Sequence, residues 1–410
     1  MVDAWDSRLI CELQLEPHIT GYLVFDSVIN GRAVGGLRML KDVSADELKL
    51  LAQAMTLKYG FLGIAMGGAK AGIAFDAEGN PARKREVLRQ FAIMLSPLLR
   101  SRSYIPGPDM GTNAHDIEWL LRFAGSKAHG RTVSRAYSGF FTALTVVIGA
   151  ACATQHLGID LSGATVAIEG FGSVGSAAAQ LFAQRGARIV AVSNRDGAIY
   201  APQGLNVKRL VELYQAVGTN TLNLYDQADK ISSSQLLELK VDVLSPCARH
   251  YTISEQNVNK VQAKIICAGA NVPFTTNAER YLFEQGQLCL PDFVTNCGGV
   301  LSGAMASMGL SEKFTVRFIE SKIGARILSV IRAAEQQGVS PRAIAERIAL
   351  ERFLLIKQQA EQQTVQNTLL RIGGALNSRA LLPLTLVKLY AARHFNKVCG
   401  DNSPSSWLSS

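Results

Sequence analysis

Apolar residues recur at helical spacing between Ser44 and Gly60, where Leu48, Leu51, Ala52 and Met55 form one stripe and Lys58 continues it. Ser44 and Glu47 have the spacing of a capping box, and Gly60 is the expected stop. A second apolar stretch, Gly139 to Ala153, is broken by Thr142 and Thr145. It falls short of the ~20 residues that a membrane span needs and predicts a buried helix. From Ala164 the period changes. Ala164 to Glu169 is a β-branched run read as a strand, Ser176 to Gly186 a helix of small residues closed by glycine, and Ala187 to Ser193 a second strand. Val241 to Leu244, Ala263 to Cys267 and Gln287 to Leu290 repeat the pattern with helical segments between them. Such alternation predicts a parallel α/β sheet. Gln358 to Leu382 also reads as helical, and the Ser-rich residues Asn402 to Ser410 as a frayed tail. The chain has no internal repeat.

Composition sets the scale. A chain of 410 residues is too long for one ordinary core, so two domains are expected. Hydrophobic residues at 48% and charged residues at 18% describe a globular protein, not a disordered one. The polar opening, Met1 to Glu16, lacks the pattern of a secretory leader. None of the seven cysteines stands in a CxxC spacing, which points away from zinc, any other metal centre or a disulfide framework. Reduced thiols fit a cytoplasmic protein. The net charge is +9, with a cluster at Arg83, Lys84, Arg85, Arg89, Arg100 and Arg102. No nucleic-acid motif accompanies that cluster, so it reads as a solvated helix face whose field draws anionic substrates. Neither nucleic acid nor a membrane is an expected partner.

Two lysines change the picture. Lys58 lies on the apolar side of its helix, and Lys70 lies in Met66-Gly-Gly-Ala-Lys-Ala-Gly-Ile73, an otherwise uncharged run. Either their stems lie on apolar surface while the ammonium reaches water, or one of them is a base whose pKa burial has lowered.

A third signal is a dinucleotide cradle. Gly170-Phe-Gly-Ser-Val-Gly175 joins the strand from Ala164 to the following helix, and a second strand comes at the right distance. Gly170 permits the tight turn, Gly172 lets backbone approach a pyrophosphate, and Gly175 packs helix on strand. Phe171, Ser173 and Val174 complete the loop, and the helix N-terminus turns amides and dipole toward phosphate. After the second strand, Asn194 stands where an NAD site usually carries a carboxylate, and Arg195 can pair with a 2′-phosphate. This pattern favours NADP over NAD, although Asp196 could swing in toward a ribose.

The segments Gly35-Gly-Leu-Arg-Met39, Met55-Thr-Leu-Lys58, Met66 to Gly72, Pro108-Asp-Met-Gly-Thr112, Gly170 to Gly175, Ala268-Gly-Ala-Asn-Val-Pro273 and Pro291-Asp-Phe-Val-Thr-Asn-Cys-Gly-Gly299 occur in one order. In that order they resemble the glutamate/leucine/phenylalanine/valine dehydrogenases, over residues 8 to 355. The resemblance implies an α/β protein of two domains with C-terminal helices. Residues 1–136 would bind substrate and dimerise, 137–345 would form a Rossmann-type NAD(P)-binding domain, and 346–410 would return to the first domain and end in a tail. The active site would lie in the cleft. By resemblance, Lys58 binds the substrate α-carboxylate, Lys70 polarises the carbonyl and activates water, and Asp109 exchanges protons with the amino group and Lys70. Asn271 serves nicotinamide and substrate, Gly36, Val34, Val300 and Gly303 line the substrate, and Ser138, Cys247 and Ala248 join the cofactor residues. The chemistry agrees. Hydride loss from an amino-acid Cα leaves an iminium, which requires a carboxylate anchor, a base and an acid/base partner. Asp109 has another possible role, capping the helix that begins near Asn113.

Glutamate-specific relatives carry a lysine immediately before Gly-Gly-Leu-Arg and a serine three positions after Gly-Gly-Val. This chain has Val34 and Gly303 there, with Ser302 one position earlier. A buried side-chain carboxylate without a partner costs several kcal/mol, so an apolar L-amino acid, converted to its 2-oxo acid and ammonia, is expected. A glutamate dehydrogenase and an inactive regulatory relative are the alternatives. Few residues precede the first strand and about fifty follow Phe353, both departures from the family pattern. The family habit nevertheless implies a homo-oligomer.

Overall fold

Gly67–Ala74, which no alternation in the sequence marks as a strand, lies at the centre of a five-stranded sheet. The computed structural model describes residues 9–77, 81–126, 139–362, 364 and 382–400. The chain divides into a first unit (Met1–Tyr137, Gly303–Leu310 and Ile348–Val398) and a second (Ser138–Ser302, Ser311–Arg347 and Cys399–Ser410). The strands of the first are β1 (Leu9–Glu16), β2 (Ile19–Phe25), β3 (Ala33–Leu40), β4 (Gly67–Ala74) and β5 (Tyr104–Pro108), in the order β1-β2-β4-β3-β5. β3 runs parallel to β4 and β5, whereas β1-β2 and β2-β4 are antiparallel. Helices α1 (Ala45–Leu62), α2 (Pro81–Met94), α3 (Ser96–Arg100) and α4 (Ala114–Phe123) cover the sheet.

Alternation along β4 separates two environments. Ala69, Ala71 and Ile73 join Leu23, Leu37 and Met39 in a core closed by Phe91 and Leu120. Gly68, Lys70 and Gly72 take the other face, beneath α1. A Cβ at Gly68 would lie 2.4 Å from the Thr56 amide nitrogen, and one at Gly72 would lie 2.9 Å from Leu48. Missing side chains therefore let α1 lie close on the sheet, and that closeness buries Lys70 between the glycines.

α1 ends at Gly63 (φ 73°), whose N–H donates to the Gly60 and Tyr59 carbonyls, and so runs past the expected stop at Gly60. Gly60 is glycine for a different reason: a Cβ there would lie 2.1 Å from the Ala349 carbonyl oxygen. The basic cluster is not a bare solvated face. Lys84 pairs with Asp116 at 2.5 Å, Arg89 with Glu86 at 2.8 Å and Arg83 with Glu16, while Arg85 stacks 3.0 Å over the Trp119 ring.

The second unit contains α5 (Gly139–His156), β6 (Thr165–Glu169), α6 (Ser173–Gln184), β7 (Arg188–Asn194), β8 (Gly197–Tyr200), α7 (Val207–Val217), α8 (Thr221–Leu224), β9 (Asp229–Ile231), α9 (Ser233–Leu237), β10 (Val243–Pro246), β11 (Ile265–Cys267), α10 (Thr276–Glu284), β12 (Leu288–Leu290) and α11 (Asp292–Thr295). There follow α12 (Gly298–Ser307), α13 (Glu312–Phe318), α14 (Gly324–Gln337), α15 (Pro341–Glu361) and α16 (Leu384–Gly400). Its sheet order is β12-β11-β10-β6-β7-β8-β9. The first five strands are parallel, but β8 and β9 add antiparallel, which corrects the expectation of a wholly parallel sheet. Asn194 pairs with Gly197, so Arg195 and Asp196 form the tip of a tight hairpin. The apolar α5 is long enough to cross a membrane, yet most of it is buried among α6, α14 and β11. Ser138, the tail from Asn402 and most of the helix expected from Gln358 to Leu382 lie outside the described residues.

Candidate active site

Three neighbouring strands assemble a buried charge cluster in the first unit. Lys70 of β4, 4% exposed, pairs through Nζ with Asp109 Oδ2, in the turn after β5. Between them runs β3, where Gly36 removes the obstacle: a Cβ there would lie 2.9 Å from Asp109 Cβ. Asp109 is held from several sides. Its Oδ1 accepts the Met110 amide at 2.6 Å and Arg38 Nη2 at 3.3 Å, and its own amide donates to Thr112 Oγ1 at 3.0 Å. Thr112 in turn donates to the Leu37 carbonyl at 2.7 Å. The helix that Asp109 could have capped is capped by Asn113, with Asp116 completing the box.

The setting of Lys70 is charged in space although it is uncharged in sequence. Arg38, two residues beyond Gly36 and therefore on the same face of β3, donates Nη1 to Glu47 Oε1 at 2.5 Å. Burial, reinforced by the Arg38 guanidinium, lowers the Lys70 pKa against the opposing pull of Asp109. Burial alone would raise the Asp109 carboxyl, but Lys70 and Arg38 hold it well below the usual carboxylate range. This arrangement is a base with weakened proton affinity joined to a carboxylate that its cationic neighbours favour in the charged form at rest. Lys58 lies on α1, 5% exposed. It sits eleven residues after Glu47, about 20° round the helix and therefore on the same side. Val34 is half-buried on β3, on the face that carries Gly36 and Arg38.

The dinucleotide residues gather in the second unit, where the chain leaves β6 for β7 on one side and β10 on the other. In such sheets ligands bind beyond the carboxyl ends of the strands at this switch point. Gly170 has φ 95°, and a Cβ on it would lie 2.7 Å from the Ala248 amide nitrogen. At Gly175 a Cβ would lie 1.9 Å from the Gly170 carbonyl oxygen, whereas at Gly172 it would meet nothing within 4 Å. Two glycines are thus required by the protein's own packing. The third leaves open space at the N-terminus of α6, which has no side-chain cap and fits a dinucleotide pyrophosphate. Phe171 is buried, its N–H donating to the Ser193 carbonyl at 2.6 Å, and Ser173 and Val174 open α6. The Cys247 amide donates to the Glu169 carbonyl at 2.6 Å and the Ala248 amide to Glu169 Oε2 at 3.3 Å, joining the ends of β6 and β10. Beyond β11, Asn271 Oδ1 accepts Asn296 Nδ2 at 3.0 Å.

At the β7-β8 tip, Asn194 Nδ2 donates to the Thr219 carbonyl at 2.6 Å and its Oδ1 accepts the Asp196 amide at 2.8 Å. The Arg195 side chain is 60% exposed. Val300 and Gly303 lie on α12, and the neighbouring Ser302 donates its hydroxyl to the Gly299 carbonyl at 2.9 Å. Sequence reasoning missed Arg38, Glu47, Glu169, Asp292 and Asn296. Arg38 was the most accessible of these, as a charged residue on a β-strand at the period that Gly36 sets.

The family profile described as Glutamate/Leucine/Phenylalanine/Valine dehydrogenase matches residues 138–360, and that of the Glu/Leu/Phe/Val dehydrogenase dimerisation domain matches 13–124. The chain is 35% identical over 299 residues to a glutamate dehydrogenase of Thermotoga maritima, covering 68% of this chain and 70% of that one. It is 34% identical over 300 residues to an NAD-specific glutamate dehydrogenase of Staphylococcus aureus, with coverage of 68% and 70%. Among solved structures it is similar to the hetero-hexameric glutamate dehydrogenase of Thermus thermophilus in its Leu-bound form. The TM-score there is 0.74 at 28% identity, over 88% of this chain and 91% of that one.

Proposed function

The chain belongs to the Glu/Leu/Phe/Val dehydrogenase family of NAD(P)-dependent amino-acid dehydrogenases, and on that premise we propose that it deaminates an apolar L-amino acid with NADP. The observation that carries the chemistry is the buried Lys70–Asp109 pair behind Gly36. A nicotinamide dinucleotide held by Gly170 to Gly175 would supply the hydride acceptor or donor for the amino-acid Cα. Everything else falls to the chain. Lys58 anchors the α-carboxylate, and Lys70, its proton affinity lowered by burial, polarises the carbonyl and activates water. Asp109 passes the proton between Lys70 and the departing or arriving amine. Asn271 orients substrate and carboxamide, and Gly170 to Gly175 with Ser138, Cys247 and Ala248 hold the dinucleotide. An inactive relative would have no chemical use for a buried Lys70–Asp109 pair.

The apolar preference rests on Val34, Val300 and Gly303. Val34 places a hydrocarbon on the face that carries Gly36, and the Ser302 hydroxyl already has a backbone acceptor in its own helix. A γ-carboxylate brought against the Val34 side chain would lose hydration to hydrocarbon. Glutamate is the second reading, favoured by the names of the relatives at 34–35% identity. NADP is favoured by Asn194, which carries no charge to repel a 2′-phosphate, and by the exposed Arg195. A cytoplasmic homo-oligomer completes the reading. The described cysteines are free thiols, and β1, an edge strand among the described residues, exposes Leu9 and Ile10. Initial rates over a panel of amino acids, with NAD and NADP in parallel, test the whole proposal. Best activity on leucine or phenylalanine with NADP is expected; best activity on glutamate would overturn the substrate assignment.

A further inference from the structure

Val272, immediately after Asn271, has φ 49°, and it is the one β-branched residue in the left-handed region among the described residues. A branched Cβ makes this conformation a steric outlier, and the following Pro273 restricts the residue further. Such strain persists only where the surroundings over-determine it. Here they do. The Val272 N–H donates to Asp292 Oδ2 at 3.0 Å, and its carbonyl accepts the Tyr251 amide at 2.8 Å. The Asn296 amide, besides holding Asn271, donates to the Ala270 carbonyl at 3.1 Å.

Asp292, 2% exposed, is itself fixed: its other oxygen accepts Arg342 Nη2 at 2.9 Å. Arg342 lies with its guanidinium 5.8 Å from the Phe293 ring centroid and also pairs with Glu279 and, at 3.3 Å, with Glu346. Asp292 and Asn296 are four residues apart, one helical turn, so α11 delivers both side chains to one short turn of backbone. An ionised carboxylate is a strong acceptor for the amide, and without Arg342 it would be an unpaired buried charge.

We propose that Asp292, held by Arg342, is a positioning residue for Asn271: it clamps Val272 in its strained conformation and so fixes where the Asn271 amide is presented. The inference rests on the assignment of Asn271 to nicotinamide and substrate. It explains why the segment from Pro291 to Gly299 contains an acid and an amide at this spacing.

The test is a double-mutant cycle in the full-length enzyme, because glycine adopts positive φ without strain and needs no clamp. kcat at saturating cofactor and amino acid is measured for the wild type, Asp292→Ala, Val272→Gly and the double variant, with cofactor Kd from nucleotide fluorescence. Asp292→Ala is expected to lower kcat by about tenfold or more with Val272 present and by several-fold less with glycine there, as release of a strained conformer implies. Cofactor Kd should change little, since the glycine loop is untouched. An equal loss in both backgrounds, or a parallel loss of cofactor binding, overturns the clamp. If Asp292→Ala does not fold, Asp292→Asn enters the same cycle under the same criterion. Asn271→Ala separates the two levels. Full activity in that variant refutes the role of Asn271 and the clamp with it. Collapse of activity together with an additive cycle refutes the clamp alone.

Discussion

Lys70 and Asp109 form a buried ion pair although their strands do not touch, because β3 runs between them and presents only Gly36 at the crossing. The pair is a product of long-range pairing, and its chemistry follows from how little water reaches it.

Lys70→Ala should lower kcat by ~10²–10⁴ or more while leaving cofactor affinity nearly intact, the range that loss of a general base produces. In the proposed role Lys70 works as the neutral amine, so activity should rise with pH and level off below 10.5, the ordinary lysine value, because burial and Arg38 lower its pKa. Steady-state pH profiles check both points, and near-normal turnover in the variant would remove Lys70 from the mechanism.

Arg38→Met strips one partner from each of two buried carboxylates, Glu47 and Asp109. Breaking a buried pair in this way costs about 3–5 kcal/mol. Urea unfolding should register that loss, and a change below ~1 kcal/mol would mean that water already screens the cluster.

Substrate choice is tested at Val34. Glutamate should be at least ~10³-fold poorer than the best apolar amino acid in kcat/KM, as expected for an acid desolvated without a partner. Val34→Lys should recover part of the activity on glutamate and depress that on leucine or phenylalanine. A wild-type enzyme that uses glutamate best would leave the family assignment standing and the pocket reading refuted.

Asn194→Asp combined with Arg195→Ser should shift the ratio of kcat/KM values from NADP toward NAD, because a carboxylate then meets the 2′-position and the cation is gone. Strong NAD preference in the unmodified enzyme would assign the ribose to Asp196 or to backbone groups of the hairpin instead.

Glu169 offers a pH test of the dinucleotide cradle. Burial raises its carboxyl to about 7 from 4.5, against the pull of the Ala248 and Cys247 amides. A carboxyl raised on folding stabilises the native state below 4.5, and that contribution is lost as pH climbs to about 7. Relative to Glu169→Gln, wild-type stability should therefore fall by about 3 kcal/mol across this window and stay flat above it. Unfolding free energies that differ by a constant amount at every pH would show that folding leaves the Glu169 carboxyl unshifted.

The lysines, the aspartate and the glycine turn were legible because their chemistry lies in residue identity and short spacing. A Gly-x-Gly-x-x-Gly between a strand and a helix states its geometry within a few residues, and the apolar stripe of α1 already placed Lys58 on the buried side. β4 was not legible, because a strand of glycines and alanines has neither β-propensity nor alternation. It is a strand because α1 can approach it closely.

What the amino-acid sequence determined by itself was therefore the inventory: two lysines at apolar positions, an aspartate and a glycine turn between strand and helix, in an α/β chain of the Glu/Leu/Phe/Val dehydrogenase type. What only the tertiary structure decided was the company each group keeps. Arg38 and Glu47 beside Lys70, the antiparallel edge that turns Arg195 into a hairpin tip, and the hold of Asp292 on Val272 all join residues far apart in the chain. No local period encodes such pairings. They arise when the backbone closes over polar groups, and burial then requires each group to find a partner.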